Sequence, residues 1–332
     1  MLLDARRANA IEQAADVLAA GQLLGLPTET VYGLAARADQ DAAVAQIFAA
    51  KGRPANHPLI VHVPSLEAAR AFVAPGFLEQ PEQAATALMQ AFWPGPLTVI
   101  VPRHPDRAAA AAGGQNSVGL RCPAHPVALA VLQAAAERGV AGVAAPSANL
   151  FGRVSPTTAQ HVHTEFGNGL TVLDGGACSV GIESTIIDCT REQPVLLRPG
   201  MVSVQDIADK TGITVLLPEQ VRSQQAAPRA SGTLDSHYAP SARVRLYSTT
   251  ELQAMAHQAS DRIAIWSRTP LTQLPAHVVY APMPPSAVAT AHTLFATLRD
   301  LDAQGVQEIW VEQVPTSEEW AGIADRLRRA AA

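Results

Sequence analysis

Two polar segments near the start of the chain, 27–33 and 51–62, hold side chains that could do chemistry. The first surrounds a carboxylate with hydroxyls. The second begins with Lys51 and Arg53 and ends with His62 inside an apolar run. Binding groups concentrate in loops that rigid elements hold in place, and two cations in such a loop favour a phosphate or carboxylate ligand. Taken alone, the pair fits the solvated C-terminal end of a helix at least as well.

Further polar side chains recur at or beside the predicted ends of short apolar strands. Together with the first two segments they comprise Thr28, Glu29, Thr30, Lys51, Arg53, His62, Ser117, Arg121, Ser147, Asn149, Ser155, Glu183, Ser184, Thr185 and Arg198. Open α/β sheets bind their ligands at strand ends. Four cations that converge there would suit a polyanion such as a triphosphate, or a phosphate together with a carboxylate.

Each of these residues also has an ordinary structural explanation. His62 alternates with apolar neighbours, as a hydrogen-bonded core histidine does, and Arg121 suits a structural ion pair. Ser147 and Asn149 follow a proline and fit plain turn chemistry. Residue spacing leaves both interpretations open, because it does not show which side chains meet in space.

The chain lacks the short motifs of several common enzyme classes. There is no GxxxxGK[ST] segment and no GxGxxG after the first predicted strand, which argues against an ordinary P-loop and against a dinucleotide site. HExxH, CxxC and GxSxG are absent as well. A bound nucleotide would therefore have to be held by other groups.

The composition is typical of a globular protein. Of the 332 residues, 48% are apolar and 16% are charged, which favours buried strands and argues against disorder. The net charge of −5 gives no overall signature of nucleic-acid binding. Cys122, Cys178 and Cys189 form no metal-binding pattern and predict reduced, buried thiols. Because no apolar run has membrane-spanning length and no signal-peptide pattern is present, we expect a cytoplasmic protein.

Hydrophobic periodicity predicts a first domain over residues 1–212. Strands are predicted over 22–26, 59–63, 97–101, 118–121, 142–145, 171–173, 184–189 and 195–198. Helices are predicted over 8–20, 41–50, 82–92, 126–137 and 157–166, and Ser203 is expected to cap one more. The order of strand, helix and strand over 22–63 predicts a βαβ-like unit.

A change of composition after Gly212 predicts a linker over residues 213–240. It shows little periodicity and is longer than most connections inside compact domains, so we expect it to be mobile or functional. From 241 to 332, strands alternate with helices, which predicts a small, mainly parallel three-layer α/β domain. Its strands are predicted over 244–247, 263–266, 278–281 and 309–312, and its helices over 251–258, 287–303 and 318–329.

Several segments of the first domain resemble the YrdC-like family in order and spacing. They are 27–34 (PTETVYGL), 51–54 (KGRP), 57–62 (HPLIVH), 93–98 (WPGPLT), 121–123 (RCP), 145–149 (APSAN) and 198–200 (RPG). The string SHYAP at 236–240 and the α/β tail resemble the two-domain threonylcarbamoyl-AMP synthases. The resemblance implies a twisted open mixed sheet with helices, followed by a smaller Rossmann-like three-layer α/β domain.

The family makes L-threonylcarbamoyladenylate from L-threonine, bicarbonate and ATP and releases pyrophosphate. The product serves threonylcarbamoylation of adenosine 37 in tRNA. The resemblance implies that threonine is held by Thr30, His62, Arg121, Ala145 and Ser184. It assigns the nucleotide to Arg53, His57, Ser117, Ser147, Asn149, Ser155, Arg198 and Tyr238, with Lys51 and Arg53 as the catalytic cations. It also implies Mg²⁺ bound with ATP rather than at a protein metal site, and a linker that folds over the active site.

Two other functions compete with this one. YrdC-like domains have a positively charged concavity, which would suit an RNA-binding or translation-factor module, but the net charge and the 5% of aromatic residues count against it. Carbamoyl transfer occurs in larger YrdC-containing maturation proteins, whose acylphosphatase and zinc-finger modules are missing here. The expected partners are the three substrates and the downstream machinery that transfers the threonylcarbamoyl group to tRNA. Direct contact with tRNA is compatible with this, and no membrane partner is expected.

Overall fold

The computed structural model describes residues 1–79, 83–221, 227–234 and 236–332. The strands are β1 (Leu2–Asp4), β2 (Leu24–Leu26), β3 (Gly33–Arg37), β4 (Ile60–His62), β5 (Leu97–Pro102), β6 (Ser117–Arg121), β7 (Val143–Ala144), β8 (Thr171–Asp174), β9 (Thr185–Asp188), β10 (Val195–Arg198), β11 (Arg243–Tyr247), β12 (Ile263–Ser267), β13 (Val279–Pro282) and β14 (Glu308–Glu312). The α-helices are α1 (Ala10–Ala19), α2 (Asp41–Lys51), α3 (Leu66–Ala69), α4 (Ala84–Phe92), α5 (Pro126–Glu137), α6 (Ala159–Phe166), α7 (Val204–Thr211), α8 (Thr249–Ala256), α9 (Ala287–Asp302) and α10 (Ala321–Ala330). The predicted helix start at Glu82, and linker residues 222–226 and 235, lie outside the described part of the chain.

The first sheet is mixed and has the order β1-β8-β2-β3-β7-β4-β6-β5-β9-β10. The predicted βαβ-like unit is wrong in its first strand. Residues 22–26 give β2, which runs antiparallel to β4, whereas β3 is parallel to β4 and is joined to it by α2. β3 was not predicted, because its sequence GLAAR has few of the β-branched and aromatic residues that mark strands.

Helices cover the two faces of the first sheet unequally. Helices α2 and α4 pack on one face. Leu34 and Ala36 of β3 lie on this face. Helices α1 and α5 pack on the other face, where Ala35 points, and they lie over β8, β2, β3 and β7. The strands β4, β6, β5 and β9 have no such helices on this second face among the described residues. This uncovered part of the sheet is where the site described below lies.

The second sheet has four strands, all parallel, in the order β11-β14-β12-β13. Its alternating residues divide between two apolar clusters. Ile265 and Trp310 face α8, whereas Trp266 and Val311 face α9 and α10. The predicted fold class, a mixed α/β domain followed by a smaller three-layer α/β domain, is therefore confirmed. The predicted boundaries at 212 and 240 stay a prediction.

Glu312 occupies the carboxyl ends of the strands in the second sheet, where α/β folds usually bind ligands. Its buried carboxylate accepts hydrogen bonds from the backbone N–H groups of Arg268 at 2.7 Å and Thr269 at 2.8 Å. The hydroxyls of Thr249 and Thr269 also donate to it, at 2.8 and 3.0 Å. In the described part of this domain, the protein's own carboxylate takes the donors that an anionic ligand would use.

Two smaller predictions concern the cysteines and the seventh helix. All three cysteines are free and buried, as predicted. Ser203 caps α7 through a reciprocal pair of hydrogen bonds with Asp206, also as predicted.

Among the described residues, no helix combines the length and the apolar character that crossing a membrane requires.

Candidate active site

A pocket lies between the open part of the first sheet and the linker. Its wall is formed by Thr28, Thr30, Val31, Gly33, Arg53, Ile60, His62, Arg121, Ala145, Pro146, Ser147, Glu183, Ser184, Arg198, Ser231, Gly232, His237 and Tyr238. Three arginines among these make the cavity an anion site by its chemistry.

Neighbouring strands bring the polar side chains of the cavity together. His62, Arg121 and Arg198 are the last residues of β4, β6 and β10, and Ser184 directly precedes β9. β4 pairs in parallel with β6, and β9 lies between β5 and β10. The structure therefore brings these four residues together at one edge of the sheet, a question that residue spacing had left open. The strands are short, so the cavity also crosses the face of the sheet at Ile60.

Arg121 is the centre of one buried polar group. Its Nη2 lies 2.6 Å from Glu29 Oε1, Nη1 donates to Thr30 Oγ1 at 2.8 Å and Nε donates to the Gly95 carbonyl at 3.2 Å. Burial alone would raise the pKa of Glu29, but the Arg121 guanidinium outweighs it and the net shift is downward. The pair is thus ionised at neutral pH. Arg121 is therefore both a partner in a structural ion pair and a cation of the cavity, the two roles that the sequence suggested for it.

His62 lies beside Arg121 and is fully buried. Burial, reinforced by the Arg121 charge, lowers the pKa of His62 to about 3. The imidazole is therefore neutral at physiological pH, where it can donate and accept hydrogen bonds but adds no charge. The ring also lines the cavity, beside Ile60 of the same strand.

Arg198 connects the sheet to the linker. Its Nη2 donates to the carbonyl and the hydroxyl of Ser184 at 2.9 and 3.2 Å, and Nη1 donates to the carbonyl of Ser231 in the linker at 2.8 Å. The Ser184 hydroxyl also shares a hydrogen bond of 2.7 Å with Thr98 Oγ1. Arg198 therefore fixes both walls of the cavity at this point.

Arg53 and Lys51 differ in how they relate to the cavity. Arg53 lines it, donates from Nη2 to the Pro58 carbonyl at 3.2 Å and leaves Nε buried without a partner among the described residues. Lys51 lies behind the wall, where Nζ donates to the backbone carbonyls of Ser147, at 2.6 Å, and of Asn149. Burial, reinforced by the charge of Arg53, lowers the pKa of Lys51 to about 7. Lys51 thus shapes the Ser147 turn from behind.

The linker closes the cavity with His237 and Tyr238. Both side chains are buried, and burial lowers the pKa of His237 to about 3, so this imidazole is also neutral. Tyr238 has a φ of 64°, a left-handed conformation that is strained for a bulky residue. Its hydroxyl is buried without a partner among the described residues. Strain of this kind is typical of functional sites, because surrounding contacts must hold the residue in place.

The predicted site residues fall into two sets. Those in the cavity wall are Thr30, Arg53, His62, Arg121, Ala145, Ser147, Ser184, Arg198 and Tyr238. Those outside it are Lys51, His57, Ser117, Asn149 and Ser155. Ser155 and Asn149 are buried beside the wall, and the His57 ring stacks edge-on against Phe151, 5.5 Å between centroids. The functional role of each residue stays a prediction.

Two charged residues at the site, Glu183 and Arg326, received no role from the sequence. Glu183 lines the cavity, and Arg326 of α10 pairs with it across the two domains, Nε to Oε2 at 2.9 Å. The feature of the sequence that could have pointed to Arg326 is its position among the apolar residues Ile323, Leu327 and Ala330. These residues share one buried helix face, where an arginine is out of place unless it is paired.

The fold and the cavity define a two-domain α/β protein with an arginine-lined pocket, and similarity to known proteins shows its family. Residues 16–200 match the Sua5/YciO/YrdC family model, described as telomere recombination. Residues 202–332 match the model of the threonylcarbamoyl-AMP synthase C-terminal domain. The chain therefore belongs to the Sua5/YciO/YrdC family, in the two-domain form of threonylcarbamoyl-AMP synthases. The predicted family and the prediction of an enzyme are confirmed.

Similarity to individual proteins extends over the whole chain. Threonylcarbamoyl-AMP synthases from Pyrococcus abyssi and Bacillus subtilis are each 36% identical to it, over 96% and 97% of this chain and 93% and 92% of theirs. The structure of Pyrococcus abyssi Sua5 complexed with L-threonine has a TM-score of 0.85 at 34% identity. That match covers 100% of this chain and 97% of the other.

Proposed function

We propose that the chain makes L-threonylcarbamoyladenylate from L-threonine, bicarbonate and ATP, releases pyrophosphate and so supplies the threonylcarbamoyl group for adenosine 37 of tRNA. The observation that carries the proposal is one cavity whose lining combines the five residues predicted for threonine with Arg53 and Arg198. A relative solved with L-threonine, of the same fold over its whole length, supports the amino-acid half. We place this reaction in the cytoplasm, where tRNA and ATP are available.

The threonine half of the cavity is built around Arg121. A threonine carboxylate can bind at this guanidinium, with Thr30 and the neutral His62 beside it to accept or donate hydrogen bonds. The ammonium group must lose a proton before it attacks the carbonyl carbon of the carboxylating species. As the nitrogen forms the C–N bond to the carbon of bicarbonate, the bond from that carbon to the bicarbonate hydroxyl breaks. The hydroxyl leaves as water with a further proton from the nitrogen, and the product is an N-carboxylate. Glu29 balances the charge of Arg121, so the site need not hold an unpaired cation when threonine is absent.

The second step joins this carboxylate to the nucleotide. An oxygen of the N-carboxylate attacks the α-phosphorus in line, the bond to the β-phosphate bridging oxygen breaks, and pyrophosphate leaves with that electron pair. Such a transfer needs positioning and neutralised charge rather than a covalent nucleophile on the protein. Arg53 and Arg198 supply charge at the wall, and Lys51 positions the turn that carries Ser147.

Magnesium fits this site only as the ion that accompanies ATP. Among the described residues, no cluster of three His, Cys, Asp or Glu side chains could hold a metal. The two acidic residues nearest the cavity are paired, Glu29 with Arg121 and Glu183 with Arg326. We propose that Mg²⁺ enters bound to the phosphates, where it offsets their charge, and that the protein holds the complex through its arginines.

The linker protects the product from water in this proposal. A mixed anhydride of a carbamate and AMP hydrolyses readily, so a site that makes it should exclude bulk water. Ser231, Gly232, His237 and Tyr238 already form one wall of the cavity. Release of the product to the tRNA-modifying machinery would then require this wall to open.

A pyrophosphate-release assay tests the proposed function. The native protein with ATP and Mg²⁺ is expected to release pyrophosphate only when both L-threonine and bicarbonate are present, and the product should have the mass of threonylcarbamoyladenylate. Release that ignores threonine would refute the assignment. Salt-dependent binding of tRNA without any release would instead favour the RNA-binding module.

ATP binding is expected to take up protons through Lys51. Because the pKa of this lysine is about 7 in the free protein, most of it is neutral at pH 8, and nearby phosphates would raise its pKa. Affinity for ATP should therefore fall as pH rises from about 7 to 9. Calorimetry at pH 8 in buffers of different ionisation enthalpy measures the uptake. The Lys51→Met variant is the control, and equal uptake in both proteins would rule Lys51 out.

A further inference from the structure

Arg326 belongs to the last helix of the chain, yet its guanidinium is bound mainly by the first domain. The side chain is fully buried. Nε donates to Glu183 Oε2 at 2.9 Å, Nη2 to the Glu183 carbonyl at 3.2 Å and Nη1 to the Pro199 carbonyl at 2.6 Å. Its remaining bonds are to Asp325 and Gly322 of its own helix. One arginine therefore fixes both the backbone and the side chain of Glu183.

Glu183 in turn holds two hydroxyl-bearing residues of the site. Its Oε1 accepts a hydrogen bond from Ser155 Oγ, and its chain neighbour Ser184 carries a cavity hydroxyl. Ser184 is also bound by Arg198. A displacement of Glu183 would therefore move Ser155 and Ser184 together.

The two domains touch at backbone distance on either side of Glu183. A methyl group added at Gly322 of α10 would lie 3.0 Å from the Gly200 carbonyl oxygen. One added at Gly181 would lie 2.4 Å from the Ala291 carbonyl oxygen of α9. Contacts this close leave no room for water, so α9 and α10 act as a rigid support for the 181–200 segment.

The charges around Glu183 are arranged to keep it ionised. Burial alone would raise the pKa of Glu183, but Arg326 and then Arg198 outweigh burial and the net shift is downward. The charged or titratable groups that interact with it are Arg326 of α10, Arg198 of β10, Lys51 of α2 and the linker residues His237 and Tyr238. An apolar pair could fill this space without desolvating two charges. The ion pair fixes the orientation of the Glu183 carboxylate, because the N–H donors of a planar guanidinium have a rigid geometry.

We propose that Arg326 is a positioning residue of the cavity, through which the C-terminal domain holds Glu183 and sets the places of Ser155 and Ser184. The proposal rests on the function proposed above, because it gives Arg326 a part in the same reaction. It assigns the second domain a role inside the site, although the strand ends of that domain are occupied by its own Glu312.

Kinetics of Arg326→Met test the proposal, with Arg328→Met as the matched control on the same helix. Arg328 is exposed and pairs only with Asp325 among the described residues. Arg326→Met should lower kcat/KM for L-threonine by about 10- to 100-fold, as loss of a supporting residue does elsewhere. Arg328→Met should keep the native value. Circular dichroism and Tm show whether each variant is folded at the assay temperature.

A pH series distinguishes two roles of Arg326: positioning Glu183, or only holding the two domains together. Without Arg326, burial raises the pKa of Glu183, so the activity of Arg326→Met relative to the native protein should fall as pH is lowered from 8.5 to 6.5. In the double variant Arg326→Met/Glu183→Gln this ratio should stay constant and remain below one. Native kinetics in Arg326→Met, or the same pH ratio in both variants, would overturn the proposal.

Two further outcomes can be told apart: Arg326→Met does not fold, or the proposed function itself is wrong. If Arg326→Met does not fold, the double variant decides, because it leaves no unpaired charge, and native kcat/KM there would overturn the proposal. If the native protein shows no threonine-dependent pyrophosphate release, the proposed function fails by itself. Calorimetric binding of L-threonine, weaker in Arg326→Met than in Arg328→Met, would then still support positioning, and equal binding would contradict it.

Discussion

Replacing Arg121 with methionine is expected to destabilise the protein by about 3–5 kcal/mol and to abolish threonine-dependent pyrophosphate release, because it breaks a buried ion pair by removing one partner. Glu29 would keep its carboxylate in a site that exposes only 7% of its side chain, with no counterion. Thr30 would lose the donor that orients its hydroxyl. Urea unfolding at pH 7 measures the first effect, and the pyrophosphate assay measures the second.

The pH dependence of unfolding gives a sharper test of the same variant. In the native protein the pKa of Glu29 is lowered, so its contribution to stability is present above the unfolded value of 4.5 and is lost as pH falls through the folded value. In Arg121→Met burial raises this pKa, and stability should instead decrease as pH rises above about 4.5.

The double variant Arg121→Met/Glu29→Gln is the matched control. It removes both charges, so most of the lost stability and the reversed pH trend should disappear, while threonine binding should stay absent. Recovery of threonine binding in this variant would show that Arg121 acts only as the counterion of Glu29.

Gly232→Ala is expected to lower kcat/KM by about 100-fold with little change in global stability, because it displaces the linker wall of the cavity. A Cβ at this position would lie 2.3 Å from the Tyr238 hydroxyl oxygen and 2.8 Å from Arg198 Nη1. Both groups line the cavity, so neither can move without changing its shape. Steady-state pyrophosphate release is the measurement.

Gly212→Ala is the control that isolates this contact. Gly212 and Gly232 have the same φ of 72°, but a Cβ at Gly212 would meet nothing within 4 Å. Both variants therefore bear a similar cost of about 1 kcal/mol for a side chain in the left-handed region. Equal activity losses in the two would show that backbone strain, and not the clash with Tyr238 and Arg198, explains the effect.

The sequence predicted the elements of the fold better than their arrangement. Strands such as β10 and helices such as α5 are marked by local periodicity, so their bounds were predicted as they occur. The pairing of β3 with β7, and of β7 with β4, joins residues more than eighty positions apart. No local pattern carries that information, so the strand order of the first sheet could not be predicted.

Site residues could be predicted where each stands in a recognisable local motif of the sequence. Thr30, His62 and Arg121 were found in that way. Glu183 and Arg326 were not assigned, because their relation exists only once the last helix packs against the first domain. Lys51 shows the reverse case, since a cation expected at the ligand is bound to backbone carbonyls behind the wall.

The ion pair between Glu183 and Arg326 limits the modularity of this chain. The two halves look like interchangeable parts, each with its own sheet and core. Glu183 of the first half nevertheless has its ion-pair partner, Arg326, in the second half, and Glu165 of the first half likewise pairs with Arg299 of the second. A chimera that joins this first domain to a foreign second domain, or a truncation after α7, would inherit an orphaned carboxylate beside Ser184. Exchange of one half alone would therefore leave both Glu183 and Glu165 without these partners, unless the new half supplies an arginine at each place.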